Sequence, residues 1–242
     1  MTENNQWYFA YGSNMVSDVF IKRRRISPLR HESASIKTHK LCFNVMGVPY
    51  TEPAMGGIRK AEPGDTPVYG VAYLLTEKDM HQVILSEGGG IAYTAEPLTA
   101  TLESDSATIP VTTLLARHDI PVGYERLPSE RYMGLLIRGA EEHSLPTPYQ
   151  ERLLSQPTFI RPIGYRFKAG KWLFDIFWQR VSWYIETGVH YFKNEDGNVP
   201  RWFLIIFDCL LWTMWFYHDY FHSIIWGRGD GLKTRSFNRF TL

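Results

Sequence analysis

The stretch Tyr8-Phe9-Ala10-Tyr11-Gly12-Ser13-Asn14-Met15 decides how the chain is read. An aromatic and apolar run ends in Gly-Ser-Asn, and apolar residues then resume. That order describes a buried strand delivered into a tight turn at the start of a helix. Gly12 has no Cβ, so the backbone can bend sharply and a ligand can approach it closely. Ser13 and Asn14 are good residues for starting a helix. Backbone N–H groups at such a turn lack helical partners and can cradle a carboxylate or a phosphate. The same residues also fit an ordinary strand–turn–helix corner that binds nothing, and the octapeptide alone does not separate the two.

Around this stretch lie 242 residues, enough for one sizeable domain and an appendage. The formal net charge is +1, which offers no field that argues for nucleic acid. Cys42 and Cys209 fit neither a metal-ligand spacing nor a disulfide framework. Residues 1–6 are polar and carry no signal-peptide core, so a reducing, cytoplasmic setting is expected. Seven of the eight tryptophans lie at or after Trp172. The composition changes near Arg161-Pro162-Ile163-Gly164, which divides the chain into 1–162 and 163–242.

Apolar periodicity and turn residues give the elements. A strand is expected over 7–10, a short helix over 14–24, a strand over 34–46 and a loop over 48–57. The unbroken run at 68–75 reads as a strand buried on both faces. Thr76 caps a helix that carries Met80, Val83, Ile84 and Leu85 and stops at Ser86-Glu87-Gly88-Gly89-Gly90. A strand follows over 91–98, a hairpin over 99–102 and 110–116, a helix or turn over 129–140 and a helix over 148–154. Many strands, few helices and no regular βαβ repeat predict an α+β domain built on a mixed or antiparallel barrel.

Glu87 is the carboxylate that draws attention. It ends an apolar helix and is followed by glycines. It fits an exposed helix-terminal residue, unfavourable against the helix dipole. It also fits a general base in a pocket, with glycines that let a substrate come close. Lys22-Arg23-Arg24-Arg25 reads as a solvated helix end in preference to an anion site.

Several motifs then occur in a fixed order. They are the octapeptide, Pro63-Gly64-Asp65 leading to Val68-Tyr69-Gly70-Val71, Ser86-Glu87-Gly88, Pro128-Ser129 with Tyr132, Gly139-Ala140, Leu145-Pro146 and Tyr149-Gln150-Glu151. Together they resemble the γ-glutamylcyclotransferase family over about the first 160 residues. The resemblance implies a small mixed β-barrel with surrounding helices. It implies release of 5-oxoproline from a γ-glutamyl small molecule, with no metal or cofactor. It makes Glu87 the catalytic acid/base, assigns the glutamyl group to Tyr8, Phe9, Ala10, Tyr11, Gly12, Ser13 and Asn14, and has Tyr132 touch substrate. Tyr11 and Tyr132 also fit plain core aromatics. Met15 stands where the family usually has Leu, a tolerable apolar exchange. The glycine run after Glu87 is richer than usual, which suits another leaving group. The Trp-rich tail most resembles fungal members, including those that trim glutathione-conjugated intermediates of sulfur-containing secondary metabolites.

The tail itself reads as two helices, over 172–187 and 202–226. The second is long enough to reach across a ~30 Å hydrocarbon core at about 1.5 Å per residue, but its aspartates and histidines disfavour spanning. Packing on the barrel, self-association and a membrane surface all remain open for 172–226, with Arg228, Lys233, Arg235 and Arg239 suited to anionic headgroups. His218 and His222 have the i, i+4 spacing of a metal pair but no third ligand at a recognisable spacing. Two function classes stand: a γ-glutamyl cyclotransferase, and a non-catalytic binding or membrane-adaptor protein on the same fold.

Overall fold

Strand β1 (Gln6–Ala10) pairs antiparallel with β5 (Val68–Leu75) on one side and parallel with β7 (Thr108–Ala116) on the other. With β2 (Arg30–Ile36) and β6 (Tyr93–Leu102) these strands close a mixed barrel in the order β1-β5-β2-β6-β7. The structure is a computed structural model and describes residues 5–87, 89–195 and 198–232. The expected α+β barrel with a helical extension is therefore the fold. Gly88, Lys233, Arg235 and Arg239 lie outside the described residues.

The apolar run of β5 takes the position that its composition demands. It sits between β1 and β2 and is buried along most of its length. Helix α1 (Glu77–Ser86) begins where Thr76 Oγ1 accepts the Asp79 N–H, at 3.2 Å. Helix α2 (Glu130–Glu142) begins in the same way at Ser129, whose Oγ accepts the Tyr132 N–H at 3.0 Å. That cap fixes the position of Tyr132. Helix α3 (Thr147–Leu154) completes the cover on this side of the barrel.

Four expectations need correction. The strand over 34–46 is two strands. β2 belongs to the barrel, whereas β3 (His39–Val48) pairs with β4 (Glu52–Lys60) as a separate hairpin. Lys37 and Thr38 make the turn between them without a glycine or proline to announce it. The loop over 48–57 is mostly β4. Its Pro53 is tolerated because β4 pairs on one side only. Its glycines mark close approach rather than a chain break, since a Cβ on Gly57 would stand 1.9 Å from Asn44 Oδ1. The strand over 91–98 and the hairpin arm over 99–102 are one strand, β6, in which Pro97 stays in register opposite Thr112. The helix over 14–24 is a 3-10 turn at Ser13–Met15 followed by a π-helical turn at Asp18–Arg23, with Met15 and Phe20 buried as its apolar face requires.

The tail forms α4 (Tyr165–Phe192) and α5 (Arg201–Tyr217), then a π-helical turn at His218–His222 and the short α6 (Ser223–Trp226). No helix among the described residues is long and apolar enough to cross a membrane. The helices pack on the β3–β4 hairpin. Tyr50, at the tip of that hairpin, is fully buried among Phe167, Phe174, His218 and His222, with ring centroids 5.2–5.5 Å away. Trp215 Nε1 donates to the Gly47 carbonyl at 3.1 Å. One apolar cluster therefore crosses the point at 162 where the composition changes.

The histidine pair is occupied by this packing. His222 Nε2 donates to the Gly170 carbonyl at 2.9 Å, and His218 Nε2 accepts the Gly229 N–H at 2.9 Å. His218, Asp219 and Asp230 converge, but Arg126 and Arg228 neutralise both carboxylates.

Candidate active site

At the end of β1 the chain turns through Gly12 into the 3-10 turn, and α1 brings Glu87 to the same point. Between them lies a pocket of about 310 Å³. Tyr8, Tyr11, Gly12, Ser13 and Asn14 line it from β1 and the turn, and Glu87 from the end of α1. Tyr132 of α2, Tyr93 of β6, Leu114 of β7 and Gly56 of β4 close it. Five elements that are remote in sequence thus meet at one carboxylate. Phe9 and Ala10 do not line the pocket. Phe9 is fully buried in the cluster on the other face of β1, as strand alternation dictates, and Ala10 packs behind the turn.

Glu87 is half-buried and firmly held. Its Oε1 receives Arg24 Nη2 at 2.7 Å and Asn14 Nδ2 at 2.8 Å. Arg24 also reaches Ser86 Oγ through Nη1, at 2.5 Å. Oε2 has no hydrogen bond from the described residues, which leaves one carboxylate oxygen to meet a ligand. Arg24 corrects the reading of the basic run: it is a half-buried partner of the carboxylate and not a solvated helix end. A charge run at the end of a short helix gives no local sign of this, because the partner lies 63 residues away.

Asn14 Nδ2 also donates to Tyr8 Oη at 2.9 Å, while Asn14 Oδ1 is buried with no donor among the described residues. Asn14 lines the pocket, so that oxygen is an unpaired acceptor at its wall. Tyr132 Oη accepts the Gly56 N–H at 3.0 Å, and Tyr93 Oη donates to the Gly56 carbonyl at 2.9 Å. Gly12 has φ −117°, so its need for glycine is spatial: a Cβ would stand 3.1 Å from Tyr132 Oη. On Gly56 the distance would be 2.9 Å.

Burial raises the pKa of Tyr8, Tyr11, Tyr93 and Tyr132 well above that of a free phenol, and the negative charge of Glu87 adds to it. All four stay neutral at physiological pH. They can donate and accept hydrogen bonds but do not act as bases, and Glu87 is the one carboxylate among the residues that line the pocket. Sequence reasoning missed Arg24, Gly56, Tyr93 and Leu114. Gly56 carried a signal, a glycine pair beside a proline, that was read as a break in the chain.

A solved γ-glutamyl cyclotransferase shares the fold, with a TM-score of 0.57 at 22% identity over 66% of this chain and 92% of that one. The γ-glutamyl cyclotransferase gliK of Claviceps purpurea (strain 20.1) is 52% identical over 221 residues, 90% of this chain and 100% of that protein. Its Aspergillus fumigatus namesake is 35% identical over 94% of this chain and 90% of its own length. Residues 165–225 match the family model described as the AclK C-terminal domain. The chain belongs to the γ-glutamyl cyclotransferase family and is an enzyme of that type acting on a γ-glutamyl small molecule. It is a fungal-type member, with the aromatic extension that the solved relative lacks.

Proposed function

We propose that the enzyme releases 5-oxoproline from a γ-glutamyl amide by attack of the substrate's own α-amine, with Glu87 carrying the proton. The substrate is glutathione, a glutathione conjugate or a γ-glutamyl amino acid. The observation that supports this reading best is the carboxylate geometry: Glu87 lines the pocket, its Oε1 is held by Arg24 and Asn14, and Oε2 has no hydrogen bond from the described residues.

The glutamyl chain folds so that its α-nitrogen meets its γ-carbonyl carbon. Confinement supplies much of the acceleration by making a five-membered ring closure the nearest outcome. Asn14 Oδ1 accepts an N–H of the α-amine and directs its lone pair at the carbonyl. As the new C–N bond forms, the amine gives a proton to Glu87 Oε2 and the carbonyl becomes an oxyanion. Backbone N–H groups at Gly12, Ser13 and Asn14 hold the substrate's α-carboxylate or that oxyanion. Glu87 returns the proton to the leaving nitrogen, the original amide C–N bond breaks, and 5-oxoproline and a free amine depart. No water is consumed. Tyr8, Tyr11 and Tyr132 bound the glutamyl chain, and Phe9 and Ala10 set the turn from behind.

A non-catalytic adaptor has no use for a buried carboxylate oriented by two donors, so the enzymatic reading is preferred. The division into a catalytic unit over 1–162 and an extension over 163–242 belongs to the proposal, as does a place in sulfur-containing secondary metabolism. Incubation with a panel of γ-glutamyl compounds should yield 5-oxoproline and free amine in equal amounts. Glutamate in place of 5-oxoproline would mean hydrolysis and would overturn the mechanism.

A further inference from the structure

A second cavity, of about 690 Å³, adjoins the first and shares Glu87, Tyr93 and Leu114 with it. Its remaining wall comes from Ile84, Gly90, the exposed strand residues Thr94, Ala95 and Glu96, and Asn198. Asn198 belongs to the connection between α4 and α5. The extension therefore reaches the catalytic carboxylate's neighbourhood, although every residue assigned to the chemistry precedes position 163.

The contact is anchored on both sides of Asn198. Val199 N–H donates to the Gly89 carbonyl at 3.0 Å, two residues after Glu87. Asn198 N–H donates to Asn194 Oδ1 and its carbonyl accepts the Asn194 N–H, each at 2.8 Å. Val199 packs with Val189 and Phe203 against Ile91. Arg117, the residue after β7, completes the attachment, donating through Nε to the Ile91 carbonyl and through Nη1 to Asp208 of α5, both at 2.9 Å. Gly89 and Gly90 take φ +58° and +91°, and a Cβ on Gly90 would stand 3.2 Å from Asn198 Oδ1. Those two glycines fit a segment bent to receive the extension.

We infer that the second cavity holds the leaving amine and that Asn198 of the extension is a specificity-determining residue for it. This rests on the cyclotransferase reading. In that reaction the bond that breaks lies beside Glu87, so one half of the substrate occupies the small pocket and the other must lie on the far side of the carboxylate. The second cavity is there, and it is larger than the first. Its size suits a γ-glutamyl amide whose leaving amine carries a bulky substituent, with Asn198 and Glu96 offering hydrogen bonds and Ile84, Ala95 and Leu114 apolar contact.

The test is a ratio. kcat/KM is measured in one preparation for S-benzylglutathione and for γ-glutamylalanine, so the fraction of folded enzyme cancels. Asn198→Trp fills the cavity from the extension and Thr94→Trp fills it from β6. Each should lower the bulky-to-small ratio about tenfold or more, the scale on which pocket shape discriminates. Asn198→Ala removes the hydrogen-bonding amide without adding bulk and should raise KM for the bulky substrate, lowering the ratio. An unchanged ratio in both Trp variants overturns the inference while the cyclotransferase reading stands. A wild-type enzyme that releases no 5-oxoproline from either substrate overturns the reading and the inference with it.

Discussion

Arg24 Nη2 lies 2.7 Å from Glu87 Oε1, at the meeting point of a π-helical turn and the end of α1. The guanidinium and the Asn14 amide both hold Oε1 of this half-buried carboxylate, so its position depends on them. Arg24→Gln keeps a donor but loses the charge and the forked geometry. It should lower kcat about 10- to 100-fold, the cost of misplacing a reacting group by about an ångström. KM should change less than kcat. Steady-state kinetics on a γ-glutamyl dipeptide decide it, and a kcat within twofold of wild type would contradict the role.

Tyr50 holds the extension to the β3–β4 hairpin. It is fully buried, adopts φ +64° without being glycine, and donates its hydroxyl to the Gly227 carbonyl at 2.6 Å. A bulky residue in the left-handed region is held there by its surroundings. Tyr50→Ala removes the ring from an aromatic cage and should cost about 3–5 kcal/mol. Denaturant unfolding measures this, and a loss under about 1 kcal/mol would mean that the cage collapses without strain.

How much of this was legible can be followed residue by residue. The strand of the octapeptide and the Thr76 cap follow local rules, and their elements stand where those rules put them. Glu87 stood out because glycines follow it. Arg24, Tyr93 and Leu114 reach the pocket through barrel closure, a long-range property with no local trace. Gly56 and Gly57 show the converse: close packing against Tyr132 and Asn44 requires glycine inside a strand, and short-range reasoning takes such glycines for a loop.

Three histidines set the response to acid. Burial, with Lys60 adding to it for His39, lowers the pKa of His39, His143 and His222 below the ordinary value near 6.5, although the carbonyls of Met15 and Gly170 oppose this for the latter two. The unfolded chain then takes up protons below about pH 6.5 that the folded chain refuses, so stability falls as pH drops through that window. Asp208 and Asp219 act lower: burial opposes their charge, but hydrogen bonds and neighbouring cations outweigh it, and their stabilisation disappears only below about pH 4. Tm should be lower at pH 5.5 than at pH 7.5. A flat or rising Tm would show that these rings are protonated in the folded state.

The outer face of the extension is rich in exposed rings, among them Trp172 at 63%, Tyr184 at 67% and Tyr191 at 80%. Covering such side chains gains roughly 1.5–3 kcal/mol each, enough to drive self-association or adsorption to a membrane surface. Sedimentation should find a dimer or larger species, or flotation should find the chain on anionic vesicles. Trp172→Ser with Trp212→Ser should weaken whichever is seen. A wild-type monomer that ignores vesicles would mean that the exposed face serves neither.

The central claim is that one carboxylate carries the proton through ring closure. Glu87→Gln preserves shape and removes that proton carrier, and general acid–base groups contribute roughly 100- to 10,000-fold. The direct measurement is 5-oxoproline release by wild type and Glu87→Gln from the same γ-glutamyl substrate, alongside calorimetric binding of that substrate. The account predicts turnover reduced at least 100-fold with binding retained. A variant that binds and still forms 5-oxoproline within tenfold of the wild-type rate contradicts it.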